Sequence, residues 1–302
     1  MSSSTPRAGK KPDRATKAKI AEQRARQRRA DRRRRILTVV GSVIGVAAIV
    51  GALVAIKVTH NGSSGSSTAV AVSPAPAAVV DKVTGVPTAV LSSVGAGAVK
   101  SLPQPIQGDK LTKDGKPEVL YVGAEYCPFC GGERWALINA LSRFGTFDNL
   151  KITQSAKNDS PSDIHTFSFR DAKYTSDYVA FTGVETQTSD TAAGPPAPLH
   201  KLTKAQQALY TKYNTGGGIP FLDFANQYAS SGASFDVSGL QGMTWQQIAD
   251  QLDQPNSDVA KGIVGAANAL TATICKITDN NPGDVCNTPT ITALQKQLST
   301  KK

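Results

Sequence analysis

The sequence contains few of the residues that hold metal ions. Its 302 residues include three histidines, His60, His165 and His200, and four cysteines. No two histidines have the three-to-five-residue spacing typical of zinc sites, and the last two cysteines are separated by ten residues. We therefore expect no metal and no cofactor.

Most of the chain has no excess of either positive or negative charge. The net charge is +11, but residues 1–35 hold 14 Lys and Arg against three acidic residues, and residues 36–302 hold 20 of each sign. A neutral folded part has no basic face of the kind that nucleic-acid binding requires. We expect no nucleic-acid partner, whereas the basic tail could contact anionic membrane lipid.

Charged residues are absent from one long apolar run, Ile36–Ile56, which directly follows Arg32–Arg35. A helix of 21 residues spans the roughly 30 Å of a membrane's hydrocarbon core, which predicts a single transmembrane helix at 36–56. A cleaved signal peptide is the alternative, although its apolar part is usually shorter and follows a shorter basic region. The basic tail, residues 1–35, is then cytoplasmic, and the chain after Lys57 lies outside a plasma membrane crossed once.

Large apolar side chains are scarce in residues 57–82, which are rich in Ser, Gly, Ala and Pro. Such a composition cannot build a core and indicates a flexible linker. The remaining residues, 83–302, are expected to form one extracytoplasmic domain.

The run Val119–Val122 has the composition of a strand buried on both faces of an α/β sheet. It is followed by Cys127-Pro128-Phe129-Cys130 and by a helix predicted over 128–144, where Pro128 suits the first turn and Gly145 a C-terminal stop. Further predicted elements are strands at Leu150–Gln154, Tyr178–Phe181 and Phe221–Phe224, a surface insertion at 186–200, and helices at Thr203–Tyr213, Trp245–Leu252, Asp258–Cys275 and from Pro289.

The CxxC motif at the start of a helix is the arrangement that thiol–disulfide exchange needs. The unpaired N–H groups of a helix N-terminus favour a thiolate, which is the attacking species. We therefore predict Cys127 as the nucleophile and Cys130, one turn along, as the resolving thiol. A structural disulfide between the two is the competing interpretation.

The second pair, Cys275 and Cys286, lies at a predicted helix end and in a Pro/Gly-containing loop. Outside the membrane such a pair is expected to form a stabilising disulfide. A relay that exchanges electrons with the CxxC pair is the alternative.

The segment 121–147, YVGAEYCPFCGGERWALINALSRFGTF, resembles the active-site segment of the thioredoxin superfamily. Over roughly 80–302 the chain is similar to a family of bacterial and archaeal membrane-anchored thioredoxin-like proteins known only as a domain of unknown function. The resemblance implies an α/β thioredoxin-like domain with an insertion and a helical C-terminal extension, preceded by one transmembrane helix.

The resemblance also implies roles for individual residues. Cys127 and Cys130 match the redox pair, and Ile219-Pro220 matches the pair whose cis proline packs against it. Pro220 is thus a third catalytic-site residue, and Ile219, Tyr126 and Phe129 are predicted to bind substrate. Tyr126 stands where thioredoxins have Trp, and their buried acid has no certain counterpart.

Glu125 is the carboxylate nearest to the CxxC motif in sequence. It could shuttle protons, or it could be a solvated or ion-paired turn residue with Arg134 as its partner.

These patterns together predict a membrane-anchored thiol–disulfide oxidoreductase. The expected partners are cysteine-containing exported proteins, a membrane or extracytoplasmic redox partner, and membrane lipid. Oxidation of the exported proteins is favoured over reduction. A non-catalytic binding or scaffold module with two structural disulfides is the rival interpretation.

Overall fold

The computed structural model describes residues 72–189 and 196–298. The predicted tail, transmembrane helix and most of the predicted linker lie outside these residues. Within them no single helix has the length and apolar composition to cross a membrane, and only two short helices at Ala77–Thr84 and Thr88–Val94, bent by 60°, meet that test as a pair.

The described part of the chain is a mixed α/β structure. The strands are β1 (Ser73–Pro74), β2 (Gln104–Pro105), β3 (Thr112–Lys113), β4 (Lys116–Gly123), β5 (Gly145–Asp148), β6 (Lys151–Gln154), β7 (His165–Ser168), β8 (Lys173–Ser176), β9 (Ala180–Glu185), β10 (Phe221–Phe224) and β11 (Tyr228–Ser231). The α-helices are α1 (Ala77–Thr84), α2 (Thr88–Val94), α3 (Pro128–Leu141), α4 (Lys204–Tyr213), α5 (Trp245–Gln251), α6 (Asp258–Ile277), α7 (Gly283–Cys286) and α8 (Pro289–Leu298).

The main sheet is built around β4. Strand β10 pairs with it antiparallel on one side, and β9 pairs with it in parallel on the other, next to the short β3. The sheet continues outward from β10 through β11 to β2. Strands β1, β6 and β7 form a second sheet, and β5 pairs with β8.

Both faces of β4 are covered, as the apolar run predicted. Val119 and Tyr121 face the larger core, which α3 and α6 help to build, whereas Leu120 and Val122 face a smaller cluster beneath α4. Successive side chains on a strand point to opposite faces, so a strand buried on both sides must be continuously apolar.

The predicted helices and strands agree with the structure in type, and several differ in extent. Helix α3 ends at Leu141 rather than at 144, because the chain turns there into β5, which begins at Gly145 and pairs with β8. Strand β9 starts at Ala180 and runs to Glu185, because its parallel pairing with β4 sets its length.

The folded part begins earlier than the expected boundary near residue 83. Ser73 pairs with Ile152, and α1 buries Val79 and Val83 against the core. Two valines four residues apart lie on one face of a helix, and this is enough to dock a segment whose composition is otherwise that of a linker.

Candidate active site

The CxxC motif lies where β4 gives way to α3. Strand β4 ends at Gly123, and Cys127 is the N-cap residue of α3, with Pro128 in the first turn. Proline is well tolerated there because the first N–H groups of a helix have no partner inside the helix. The sequence prediction of strand, turn and CxxC-initiated helix is therefore what the structure contains.

The two thiols occupy different electrostatic environments. The Cys127 sulfur accepts a hydrogen bond from the Cys130 backbone N–H at 3.2 Å. The pKa of Cys127 is lowered, first by a hydrogen bond from the Cys130 thiol, then by backbone N–H groups and by the charge of Arg134, with burial opposing them. Burial raises the pKa of Cys130 well above its ordinary range. Cys127 is thus the thiol that ionises first.

Exposure separates the two cysteines as well. Cys130 is completely buried, whereas Cys127 keeps 5 % of its surface exposed. Phe129, between them, is 43 % exposed, and Tyr126 is half-buried. A reagent that approaches from solvent therefore meets Phe129 and Cys127 before Cys130.

The segment Ile219-Pro220 lies beside Cys127, although 92 residues separate Ile219 from it. The peptide bond between Ile219 and Pro220 is cis, and the Ile219 carbonyl oxygen lies 3.7 Å from the Cys127 sulfur. Pro220 directly precedes β10, the antiparallel neighbour of β4. The pairing of these two strands brings together the segments that the resemblance had connected.

A buried ion pair that the sequence patterns did not predict adjoins the cysteines. Arg134 donates two hydrogen bonds of 2.8 Å to the carboxylate of Glu185, and both side chains are fully buried. Arg134 also donates to the Ala124 carbonyl at 2.6 Å. Its place on α3, four residues after Cys130, was a signal that could have been used, because residues four apart share a helix face.

The Tyr121 side chain completes this buried polar cluster. Its ring lies 5.9 Å from the Arg134 guanidinium carbon. Within the described residues neither the Tyr121 hydroxyl nor the Nη1 atom of Arg134 has a hydrogen-bond partner. A Cβ atom at Gly123 would lie 2.1 Å from the Tyr121 hydroxyl oxygen, so Gly123 leaves the space that this hydroxyl fills.

The glycine pair after the motif is explained by close packing. A Cβ atom at Gly132 would lie 2.2 Å from a Val237 methyl group, and one at Gly131 would lie 3.2 Å from Ile164. These glycines lower helix propensity, but they let α3 approach its neighbours directly behind Cys130.

Glu125 is buried in an ion pair, and its partner is Arg170 rather than the expected Arg134. One carboxylate oxygen accepts from Arg170 at 2.5 Å and the other from the Ser168 hydroxyl at 2.6 Å. The backbone N–H of Glu125 donates to the Gln187 carbonyl, in the stem of the predicted insertion. The role of Glu125 as a proton shuttle stays a prediction.

Cys275 and Cys286 form a disulfide with a Cα–Cα distance of 5.5 Å. The bond joins the last turn of α6 to α7, and both residues are buried. Burial limits access by another dithiol and favours the structural interpretation over a relay. Among the described residues no group of three or more His, Cys, Asp or Glu is placed to hold a metal ion.

Comparison with known proteins gives a family without an assigned activity. Residues 104–276 match the family described as Domain of unknown function (DUF929). Searches of curated proteins and of solved structures found no significant match. The family match spans β2 to α6, including both Cys127 and the Ile219-Pro220 segment. Since it covers more than half of the 302 residues, the chain belongs to the DUF929 family.

Proposed function

We propose that this chain is a membrane-anchored, thioredoxin-like thiol–disulfide oxidoreductase that acts outside the cytoplasm on cysteine-containing exported proteins. One observation carries the proposal: the Cys127 sulfur caps α3, 3.2 Å from the Cys130 N–H and 3.7 Å from the Ile219 carbonyl oxygen. A nucleophilic sulfur, a resolving sulfur and a backbone acceptor for an incoming peptide are then within one small region.

The strand arrangement supports the thioredoxin-like assignment. The CxxC helix follows β4 directly, β9 pairs with β4 in parallel, and the antiparallel β10–β11 hairpin lies on its other side. The helices after β11 form the proposed C-terminal extension. The segment at 186–200 is the proposed insertion, and its stem pairs at Gln187 and Pro198.

The exchange reaction has two steps in the reducing direction. The Cys127 thiolate attacks a substrate disulfide, so that a mixed disulfide forms and one substrate thiolate leaves. The Cys130 thiol then loses its proton and attacks the Cys127 sulfur. The second substrate thiolate leaves, the substrate is reduced by two electrons, and Cys127–Cys130 becomes a disulfide.

The oxidising direction reverses these steps and is the one that we favour. A substrate thiolate attacks the Cys127 sulfur of the Cys127–Cys130 disulfide, and Cys130 leaves. A second substrate thiolate then displaces Cys127, which departs as a thiolate. A lowered pKa of Cys127 stabilises the reduced protein relative to its disulfide, and a protein whose reduced form is stabilised is an oxidant.

The membrane anchor belongs to the proposal as well. Residues 1–35 are proposed to lie in the cytoplasm against anionic lipid, 36–56 to cross the plasma membrane, and the rest to lie outside. A membrane or extracytoplasmic redox partner would reoxidise the cysteine pair after each turnover.

A Cys130→Ser trap tests the activity. Without the resolving thiol, mixed disulfides through Cys127 accumulate in cells, and mass spectrometry of the trapped species identifies clients and redox partner together. The matched control is the variant with both Cys127→Ser and Cys130→Ser, which can trap nothing at this site. An equal yield from the two variants would refute the proposal.

The reduction potential of the Cys127–Cys130 pair decides the direction. A reduction potential of about −120 mV supports the oxidising direction. A potential of about −270 mV overturns the oxidising direction and identifies a reductase. The measurement is an equilibration of the purified full-length protein with glutathione buffers of defined ratio.

The low exposure of Cys127, 5 %, favours a second candidate, a non-catalytic binding or scaffold module. Alkylation after mild reduction distinguishes the two. The oxidoreductase is expected to react at Cys127 rapidly and still at mildly acidic pH. A scaffold would keep the Cys127–Cys130 bond inert to reduction.

A further inference from the structure

Arg143, which lies just after the C-terminal end of α3, has no carboxylate partner of the kind that Arg134 has in Glu185. Arg143 donates one hydrogen bond to the Asn268 side-chain oxygen at 2.8 Å and another to that of Asn139 at 2.7 Å. Both acceptors are neutral amides. None of the ion pairs formed by the described residues includes Arg143.

The Arg143 side chain is partly buried. Its Nε atom is buried and has no hydrogen-bond partner in the described part of the chain. Burial lowers the pKa of Arg143 to about 9. A partly desolvated cation without an anion is less stable than a paired one, so the site gains free energy if an anion joins it.

The neighbours of Arg143 hold it in place. The Asn139 amide group donates to the Val83 carbonyl at 2.7 Å, and the Asn268 amide group donates to the carbonyls of Leu91 and Gly95 at 2.8 and 2.7 Å. These bonds orient both amide oxygens toward the guanidinium. The cation is therefore positioned by the fold before any ligand arrives.

Arg143 lines a cavity of about 240 Å³ between α2, α6 and the segment that carries Cys286. That volume lies below the about 300–1,000 Å³ of sites for larger ligands. Three hydroxyl side chains in the lining, those of Thr88, Ser92 and Thr290, make no hydrogen bond within the described residues. The cavity thus combines a fixed cation with free hydroxyl donors.

One carboxylate, that of Asp284, also lines this cavity. It is exposed and forms no ion pair with Arg143.

We infer that the Arg143 cavity is a binding site for a compact oxyanion, meaning a carboxylate, phosphate or sulfate group, held by the guanidinium and the three hydroxyls. The site is independent of the proposed thiol chemistry, because it uses none of the groups around Cys127.

Equilibrium dialysis of the purified full-length protein with radiolabelled inorganic phosphate tests the inference. We expect saturable binding of one phosphate per chain in about 150 mM NaCl, where charges more than about 8 Å apart are largely screened. Arg143→Gln is expected to weaken binding by about tenfold or more, because a charge-assisted hydrogen bond is lost. Competition by unlabelled sulfate and by acetate then separates a tetrahedral from a carboxylate ligand.

Two further variants keep the test decisive. Lys212→Gln removes one positive charge from α4 and is expected to bind phosphate as the unmodified protein does, which controls for net charge and for the basic tail. Ser92→Trp fills the cavity from an exposed helix position and leaves Arg143 intact, so it reports on the site even where Arg143→Gln fails to fold. Phosphate binding that is absent from the unmodified protein up to about 10 mM, or that is unchanged in Ser92→Trp, overturns the inference.

Discussion

Arg134 and Glu185 form a two-bond ion pair, 2.8 Å for each bond, in the interior directly behind the cysteines. Burial is the largest single effect on the pKa of Arg134 and lowers it, but the charges of Glu185, Tyr121 and Cys130 together outweigh burial and raise that pKa well above its ordinary range. Arg134 in turn lowers the pKa of Cys127 and opposes the rise at Cys130. The pair thus maintains a positive charge near the thiols.

Removing either member of this pair is expected to destabilise the protein. Glu185→Gln leaves Arg134 as a buried charge without an anion, at a cost of about 3–5 kcal/mol in the free energy of unfolding. Arg134→Met likewise leaves Glu185 as a buried charge without a cation, and a similar loss is expected. Urea unfolding of the full-length protein measures both changes.

The double variant Arg134→Met/Glu185→Leu separates stability from reactivity. Apolar side chains of similar size can replace a buried ion pair with little loss, so most of the stability is expected to return. The pKa of Cys127 is expected to stay raised relative to the unmodified protein, because the cation is gone. An unchanged pH profile of Cys127 alkylation in the double variant would contradict this electrostatic role.

The hydrogen bond from the Cys130 thiol is the largest cause of the lowered Cys127 pKa. Cys130→Ser keeps a donor at that position and Cys130→Ala does not. We therefore expect the pKa of Cys127 to be higher in Cys130→Ala than in Cys130→Ser. The rate of alkylation by iodoacetamide as a function of pH gives both values, and equal pKa values would show that the thiol donor has no effect.

Glu133 is expected to make stability depend on pH. Its carboxylate is fully buried against Ser234, and burial raises its pKa from 4.5 to about 7. The folded state therefore binds a proton that the unfolded state releases between these values. This proton stabilises the folded state by up to about 3 kcal/mol in the free energy of unfolding. The contribution is fully present below pH 4.5 and is lost as the pH rises through about 7.

Glu133→Gln removes the titration and keeps an acceptor oxygen for Ser234. Its unfolding free energy is expected to depend less on pH between 4.5 and 7 than that of the unmodified protein. Urea unfolding at several pH values makes the comparison. Equal slopes for the two proteins would be incompatible with a raised Glu133 pKa.

Phe129 is expected to contact substrate. It is 43 % exposed next to Cys127, so Phe129→Ala should leave the unfolding free energy nearly unchanged. We expect about a fivefold to tenfold slower exchange with a peptide disulfide, because aromatic anchors carry much of a peptide's binding energy. Exchange with glutathione disulfide, which is too small to need the anchor, should change little.

Tyr178→Ala is the matched control for Phe129→Ala, since Tyr178 is 38 % exposed on the segment before β9. Its peptide exchange is expected to match that of the unmodified protein. A similar loss in both variants would show that the effect is not specific to the surface beside Cys127.

The disulfide Cys275–Cys286 is expected to contribute stability and no electrons. Replacing both residues by Ala should lower the unfolding free energy by about 3 kcal/mol, because the loop is no longer closed in the unfolded chain. The alkylation and exchange rates of Cys127 should not change. A loss of turnover at unchanged stability would instead identify a relay.

Much of the local structure could be predicted from the sequence, because the patterns that specify it are short-range. The apolar run Val119–Val122 and Pro128 at the helix start each lie within a few residues of the element that they define. The first and last residues of helices and strands were less predictable. The length of β9 follows from its pairing with β4, a partner more than 50 residues away.

The candidate site divides in the same way. The order of Cys127, Pro128 and Cys130 along the chain by itself determined that one sulfur caps a helix and that another follows one turn later, because a helix N-terminus is a local feature. Only the tertiary structure decided which charges face those sulfurs. Glu185 forms an ion pair with Arg134, and Glu125 forms one with Arg170. In both pairs, the folding of distant segments against each other brings the partners together. Burial by the surrounding fold raises the pKa of Cys130, whereas the pKa of Cys127 is lowered first by the local hydrogen bond from the Cys130 thiol and less by the charge of Arg134.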